Sequence, residues 1–212
     1  MTMTFTLYAS EGTGSAVCEA ILALSGIDHR RVDVTIQAPT GPDPELLQVN
    51  PLGQVPVLRL PNGEIMTESA AIALYLADLV PEKGLAPRPD DPLRPRYLRW
   101  MAFMACAIYP SELRKFYPER YTTDPAGAEA VKDAAISRLT REFAVLASGL
   151  GTSPFLLGHA MSAVDIYAAM LIGWEENQEG LRDVFPGLIQ LAQRVAADPV
   201  IRPIWERNQL PV

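Results

Sequence analysis

The sequence predicts an α/β domain followed by an all-α helical bundle domain, and three observations support this fold class. Short β-rich runs alternate with helical patterns in the first 80 residues, a proline-rich stretch follows, and only helical patterns occur beyond it. The 212 residues are enough for one large domain or two modest ones. We therefore expect a first domain over 1–80, a linker over 81–95 and a helical domain over 96–212.

The first elements are a strand, a loop and a helix. Phe5–Tyr8 is a short β-rich run, which the glycine-containing loop Ser10–Ser15 interrupts. Apolar residues then recur at helical spacing until Gly26, a residue suited to a helix end. The alternation of apolar and polar residues over 32–36 predicts a second strand.

A short helix and a hairpin complete the first domain. Asp43 and Pro44 supply an N-cap and a first-turn proline for the helix. The runs 55–60 and 65–66 flank Pro61-Asn62-Gly63, which is a strong hairpin signal, and a last helical pattern follows. The resulting order, βαβαββα, is typical of a thioredoxin-like domain.

Prolines mark the linker, and prolines and glycines divide the second domain into separate helices. Pro81–Pro95 contains five prolines, whose fixed φ and missing N–H groups disfavour a helix or strand. Four segments with helical spacing follow, at Tyr97–Tyr109 and within 136–146, 166–174 and 188–195. Breakers that separate these helices are expected at Pro110, 149–151, Gly180 and Pro199.

Composition excludes several classes of function. The chain has 25 acidic and 18 basic side chains, and this balance argues against binding to nucleic acid. Two histidines and two cysteines argue against a metal site or a disulfide scaffold, so a reducing compartment fits best. No apolar run reaches the ~18 residues of a membrane span and no signal peptide is evident. We expect a cytoplasmic protein that binds no metal, nucleic acid or membrane.

The most informative motif is 50–58, Asn-Pro-Leu-Gly-Gln-Val-Pro-Val-Leu. Pro56 precedes a strand and cannot donate to a sheet, so it belongs at the start of that strand. Spacing alone favours an ordinary turn. A cis Val55–Pro56 bond is the alternative, and it would leave the Val55 backbone free to pair with an extended peptide ligand.

Two further motifs place polar groups at helix starts. In Thr67–Ile72, Glu68 and Ser69 would lie in a first turn, where they either compensate the helix dipole or hold a ligand. The loop Ser10–Ser15 offers three hydroxyls in front of a helix, a setting that stabilises a thiolate. Alternatively, Ser15 simply caps that helix.

Together these motifs resemble the N-terminal domain of the cytosolic glutathione transferases. The loop 10–15, the run 50–58 and the motif 67–72 occur in the order and spacing of that family. In the second half, 156–158 followed by 162–165 resembles the family's helix-starting box, with Ser162 and Asp165 closing the turn. The resemblance covers nearly the whole chain.

The resemblance implies a glutathione site. Val55 would pair through its backbone with the cysteinyl part of the tripeptide, after a cis bond to Pro56. Gln54 would approach the glycine end, and Glu68 with Ser69 would hold the γ-glutamyl amine and carboxylate. No metal or cofactor beyond the co-substrate glutathione is implied.

The sequence differs from the family at the position that holds the thiolate, where the family uses a Tyr, Ser or Cys. The register puts Gly14 where the beta-class cysteine lies and Thr13 where the theta-like serine lies. Thr13 is therefore the first catalytic candidate, with Ser10 and Ser15 as alternatives. We assign Tyr8 to the strand and not to catalysis.

An electrophile would bind between the domains, where the second domain concentrates aromatic residues. Packing in the hydrophobic core would explain about half of these aromatic residues equally well. The stretch 116–121 lies between two prolines and is a better pocket wall than Trp100. The candidate residues are Tyr109, Phe116, Tyr117 and Tyr121.

The resemblance implies a homodimeric glutathione transferase that activates the thiol for attack on a small hydrophobic electrophile. The same thiol could instead serve glutathione-dependent peroxide or disulfide reduction, or an isomerase. A glutathione-binding module without turnover is a further alternative, because the expected loop positions lack Tyr, Ser or Cys.

Overall fold

The computed structural model describes residues 4–36, 41–175 and 177–211. The strands are β1 (Phe5–Ala9), β2 (His29–Asp33), β3 (Val57–Arg59) and β4 (Ile65–Met66). The helices are α1 (Ser15–Ser25), α2 (Pro44–Val49), α3 (Ser69–Leu79), α4 (Arg94–Phe103), α5 (Tyr109–Phe116), α6 (Ala128–Leu150), α7 (Ala163–Gly173), α8 (Gln178–Val184), α9 (Pro186–Ala196) and α10 (Arg202–Arg207). A π-helical turn, Met104–Ile108, joins α4 to α5. This order confirms a βαβαββα domain followed by an all-helical one.

The four strands form one mixed sheet in the order β2-β1-β3-β4. β1 and β2 are parallel because α1 carries the chain back across the sheet, whereas β3 is antiparallel to β1. β3 and β4 form the hairpin, in which the Leu60 N–H donates to the Glu64 carbonyl at 2.8 Å. The Pro61-Asn62-Gly63 signal therefore predicted this turn correctly.

Alternation along β1 divides the sheet into two faces. Leu7 and Ala9 are fully buried in the main core, which α1 and α3 cover. Tyr8 points to the opposite face and packs with Leu46 of α2 and with Val57. Because Tyr8 is only 3% exposed on that face, the structure agrees with its assignment to the strand.

The main core continues from the first domain into the helical one. α7 packs against α1, α3, α4 and α9, so it lies at the centre of the molecule. Ten of its eleven residues are buried. Ser162 and Asp165 close the turn before α7 as predicted, because the Asp165 carboxylate accepts hydrogen bonds from the Ser162 N–H and Oγ, both at 2.8 Å. No helix in the described residues is long and apolar enough to cross a membrane.

One local prediction for the first domain was wrong and a second held in part. The second strand ends at Asp33 and does not run to residue 36, because its partner β1 ends at Ala9 and no further ladder is available. Asp43 is the N-cap residue of α2 and Pro44 lies in the first turn, as predicted, but the Asp43 side chain makes no capping hydrogen bond. Its carboxylate instead accepts the N–H of Thr35 at 2.7 Å, and so ties the loop to α2.

The predicted boundaries of the helices were also partly wrong. Pro110 does not end a helix but is the second residue of α5, which follows the π-helical turn. At a helix start the missing N–H of a proline costs little. Gly180 lies inside α8, and neither α8 nor α10 was predicted. α4 begins at Arg94, inside the stretch assigned to the linker. Short helices of six or seven residues give too little periodicity to be recognised in a sequence.

Candidate functional site

A cleft of about 1230 Å³ lies between the two domains and has walls from both. The predicted site residues on the first-domain wall are Thr13, Gln54, Val55, Pro56, Glu68 and Ser69. The predicted residues on the helical wall are Tyr109, Phe116, Tyr117 and Tyr121. The fold thus brings together ten of the twelve residues named from the sequence, whereas Ser10 and Ser15 do not line the cleft.

The loop before β3 presents free backbone groups to the cleft. The Val55–Pro56 bond is cis, as the family resemblance implies. Asn50 holds the loop, since its Nδ2 donates to the Gln54 carbonyl at 2.8 Å. Within the described ranges, neither the N–H nor the carbonyl of Val55 has a hydrogen-bond partner. This half-buried residue can therefore pair with an extended ligand backbone.

Glu68 and Ser69 begin α3 at the cleft. Glu68 is the N-cap and Ser69 the first helical residue, so Glu68 does not lie in the first turn as expected. Glu68 has a φ of +66°, in the left-handed region that residues with side chains rarely adopt outside functional sites. Ser69 Oγ lies 2.9 Å from Tyr167 Oη. Carboxylate, hydroxyl and free helix N–H groups therefore meet at one point.

The hydroxyls of the Ser10–Ser15 loop are engaged with one another. Thr13 Oγ1 and Ser15 Oγ lie 2.7 Å apart, and each is within hydrogen-bond distance of the Ser10 carbonyl, at 2.6 and 2.9 Å. Ser15 is 1% exposed, so its hydroxyl has no access to the cleft. Thr13 borders the cleft, but its hydroxyl proton is directed at a backbone carbonyl.

Tyr109 brings a hydroxyl from the helical domain to this loop. A Cβ added to Gly14 would lie 2.6 Å from Tyr109 Oη, so the phenol occupies the space of a side chain at position 14. Burial raises the pKa of Tyr109 well above its ordinary value, and this exceeds the opposing effect of the Gly14 backbone N–H. The phenol therefore remains protonated, and able to donate, at neutral pH.

The helical wall is aromatic and carries positive charge at its edge. Tyr109 packs edge-to-face on Trp174, with ring centroids 5.1 Å apart. The guanidinium of Arg120 lies 3.9 Å from the centre of the Tyr117 ring. That of Arg114 lies 4.9 Å from the Tyr121 ring. Such a wall suits an apolar or aromatic molecule.

Neither cysteine of the chain lines the cleft. Cys18 is fully buried in α1, and burial strongly raises the pKa of its thiol. Cys106 is exposed on the π-helical turn. Among the residues described, no cluster of three His, Cys, Asp or Glu could hold a metal ion.

Sequence reasoning missed several residues of the cleft. Tyr167 and Trp174 reach it from α7, and Asn208 reaches it from the C-terminal segment. Asn208 Oδ1 accepts the N–H of Gly12 at 3.1 Å, across 196 positions of the chain. A tyrosine in a helix that is apolar apart from Asp165 was a signal for Tyr167.

Two family models match the chain. The glutathione S-transferase N-terminal domain matches residues 15–79, and the glutathione S-transferase C-terminal domain matches residues 98–199. Each match falls within one of the two parts of the fold.

Several known proteins are similar to this chain over nearly its full length. An uncharacterized GST-like protein, YncG of Escherichia coli (strain K12), is 33% identical over 205 residues, which are 96% of this chain and 98% of that protein. The bacterial transferase BphK, solved as a ternary complex, is 29% identical with a TM-score of 0.83 and coverage of 97% and 100% of the two chains. A sphingomonad glutathione S-transferase complexed with glutathione is also 29% identical, with a TM-score of 0.81 and the same coverage.

Proposed function

The chain belongs to the glutathione S-transferase family, and from this membership we propose that it conjugates glutathione to a hydrophobic electrophile. The single observation that carries the proposal is the cleft between the domains. One wall offers groups that suit a charged tripeptide, and the facing wall is aromatic. A polar co-substrate and an apolar one can therefore meet in the same space.

Glutathione fits the polar wall group by group. The Val55 N–H and carbonyl pair with the cysteinyl residue in the manner of an added strand. The Glu68 carboxylate binds the γ-glutamyl ammonium, while Ser69 and the free N–H groups of α3 bind the γ-glutamyl carboxylate. Gln54 and Pro56 border the glycine end. The similar sphingomonad enzyme, which is complexed with glutathione, supports this choice of co-substrate.

The electrophile binds against Phe116, Tyr117 and Tyr121, with its reactive carbon towards the Ser10–Ser15 loop. In the reaction the thiol proton passes to water and the sulfur forms a bond to carbon. The leaving group departs with the electron pair of the bond that breaks. Catalysis then consists of lowering the thiol pKa and holding the two reactants together.

Direct transfer suits this site better than a mechanism through a protein cysteine. Cys18 is buried with a raised thiol pKa, and Cys106 lies outside the cleft. A mixed disulfide between glutathione and the protein would need a thiol that borders the bound peptide. Gly14 occupies the loop position where such a cysteine would stand.

Calorimetric titration with glutathione, followed by turnover of 1-chloro-2,4-dinitrobenzene, tests the proposal. The sulfur displaces chloride, so conjugate and chloride must form in equal amounts. Ser69→Ala should weaken glutathione binding about 2–10-fold, by loss of one hydrogen bond. Ser148→Ala, an exposed serine outside the cleft, should leave the affinity unchanged.

The outcomes separate the alternatives. Binding with turnover supports the transferase. Binding without turnover of any electrophile would instead favour a glutathione-binding module, and no binding at all would overturn the proposal.

A further inference from the structure

Tyr109 occupies a position that differs from the other aromatic residues of the helical wall. Its ring is fixed edge-to-face on Trp174, at 5.1 Å between centroids, and it begins α5 directly after the π-helical turn. Tyr117 and Tyr121 follow α5 and carry arginines over their rings. Tyr109 therefore reaches the first domain at Gly14, as Tyr167 reaches it at Ser69.

The hydroxyl of Tyr109 reaches the start of α1. Gly14 is the N-cap of this helix, and a Cβ there would lie 2.6 Å from Tyr109 Oη and 3.2 Å from its Cε2. Gly14 has an ordinary helical φ of −61°, so backbone conformation does not require glycine. Close approach of the phenol does require it. A glycine and a tyrosine 95 positions apart thus form one complementary pair.

The neighbouring hydroxyls are poor donors to a ligand. Thr13 and Ser15 both direct their hydroxyls at the Ser10 carbonyl or at each other, and Ser15 is buried. Freeing either one would break the turn that leads into α1. Tyr109, by contrast, lines the cleft, and its oxygen accepts the Gly14 N–H, which leaves its own proton available to a ligand.

We propose that Tyr109 of the helical domain is the catalytic residue that donates a hydrogen bond to the glutathione sulfur. This inference rests on the proposed function and replaces a loop hydroxyl as the activating group. The phenol keeps its own proton, and the thiol proton leaves to water. The sulfur then lies beside the Tyr109 hydroxyl at the N-terminus of α1, and both favour the thiolate.

The surroundings of Tyr109 keep it a donor. The titratable groups that face it are Cys18 and Glu68 from the first domain and Tyr117 and Tyr167 from the helical domain. None of these supplies a positive charge that would ionise the phenol. Burial is the largest influence and raises the pKa of Tyr109, so the hydroxyl stays protonated at neutral pH.

Tyr109→Phe tests the proposal, because it removes the hydroxyl and keeps the ring on Trp174. The pKa of the bound thiol, measured from thiolate absorbance, should rise by about one unit or more. Turnover at neutral pH should fall about tenfold or more, with little change in glutathione affinity. Tyr97→Phe is the matched control, since its hydroxyl is buried away from the cleft, and should change neither quantity.

Gly14→Ala is the second test and does not remove the phenol. The added methyl should displace Tyr109 Oη and raise the bound thiol pKa as Tyr109→Phe does. In the double variant the two effects should not add, because both act on the same hydroxyl. Gly14→Ala by itself also keeps the proposal testable if Tyr109→Phe folds poorly.

The proposal is overturned if Tyr109→Phe leaves the thiol pKa unchanged, and a rise in Thr13→Ala would then assign the role to Thr13. Additive effects of Gly14→Ala and Tyr109→Phe would also overturn it. Failure of the proposed function is a different result, in which the unmodified protein binds no glutathione.

Discussion

Ser69 Oγ and Tyr167 Oη lie 2.9 Å apart, and this hydrogen bond joins the first residue of α3 to the middle of α7. Both residues line the cleft. The first-domain hydroxyl that we assign to the γ-glutamyl carboxylate is therefore oriented by the helical domain. Cys18 Sγ, 3.7 Å from the Ser69 carbonyl, adds a contact from α1.

Tyr167→Phe should weaken glutathione binding about 2–10-fold, because Ser69 loses the hydrogen bond that orients it. The change in affinity is measured by calorimetric titration. Tyr97→Phe also removes a buried hydroxyl, but one that has no hydrogen-bond partner in the structure. It should leave the dissociation constant as it is. Equal affinities for the two variants would contradict the assigned role of Tyr167.

Gly149→Ala should destabilise the protein by at least about 2 kcal/mol. An added Cβ would lie 1.8 Å from Cζ2 of Trp100, which is 1% exposed and covered by the Arg99 guanidinium at 3.9 Å. The ring must therefore shift to admit the methyl group. This overpacking exceeds the gain of about 1 kcal/mol from replacing a helical glycine.

Gly187→Ala is the matched control for this effect. It lies near the start of α9, and its added Cβ would make an ordinary 3.6 Å contact with Leu150. Stability should be unchanged or rise by up to about 1 kcal/mol. Urea unfolding of both variants measures the difference, and destabilisation of similar size in the two would refute the steric explanation.

Lys115→Met should cost about 3 kcal/mol of folding free energy. Lys115 is 7% exposed and lies 2.8 Å from Glu175 and 3.8 Å from the fully buried Glu112. Removal of the cation leaves two acidic groups close together in a poorly solvated place. The free energy of unfolding at neutral pH measures the cost.

Arg202→Met provides the comparison for Lys115. Arg202 pairs with Glu206 at 3.2 Å, but both side chains are more than half exposed. We expect a change within about 0.5 kcal/mol. If the two variants lost equal stability, the cost could not be ascribed to burial of the Lys115 pair.

Asp165→Asn should reveal a pH-dependent term in stability. Burial raises the pKa of Asp165 from 3.8 to about 6 in the folded protein, despite hydrogen bonds from Leu156 and Ser162. The folded state therefore binds this proton more tightly than the unfolded state does. The stability that results is fully present below pH 3.8, the ordinary pKa, and is lost as the pH rises through about 6. Relative to the variant, the unmodified protein should lose about 2 kcal/mol between about pH 4 and about pH 7.

Denaturant unfolding of both proteins across this range tests the prediction. Other carboxyl groups titrate in both proteins and cancel in the difference. A difference that stays constant with pH would show that Asp165 has the same pKa in the folded and unfolded chains.

Features that depend on near neighbours in the chain were predictable. Gly26 ends α1 with a φ of +68°, Pro61-Asn62-Gly63 forms the β3–β4 turn, and Asp165 closes the turn before α7. Errors arose where a distant partner decided the outcome. Asp43 is the N-cap residue of α2 as its sequence position predicts, but its carboxylate accepts the N–H of Thr35 and not that of a helical residue.

The sequence by itself determined the fold class, the family and the polar wall of the cleft, because strand alternation, helix periodicity and turn residues act over a few positions. Tertiary structure alone decided which hydroxyls face the cleft. It engaged Thr13 and Ser15 with the Ser10 carbonyl, and it brought Tyr109 to Gly14 and Tyr167 to Ser69. These last two pairs span nearly a hundred residues, and such contacts follow from how the two domains pack rather than from any local pattern.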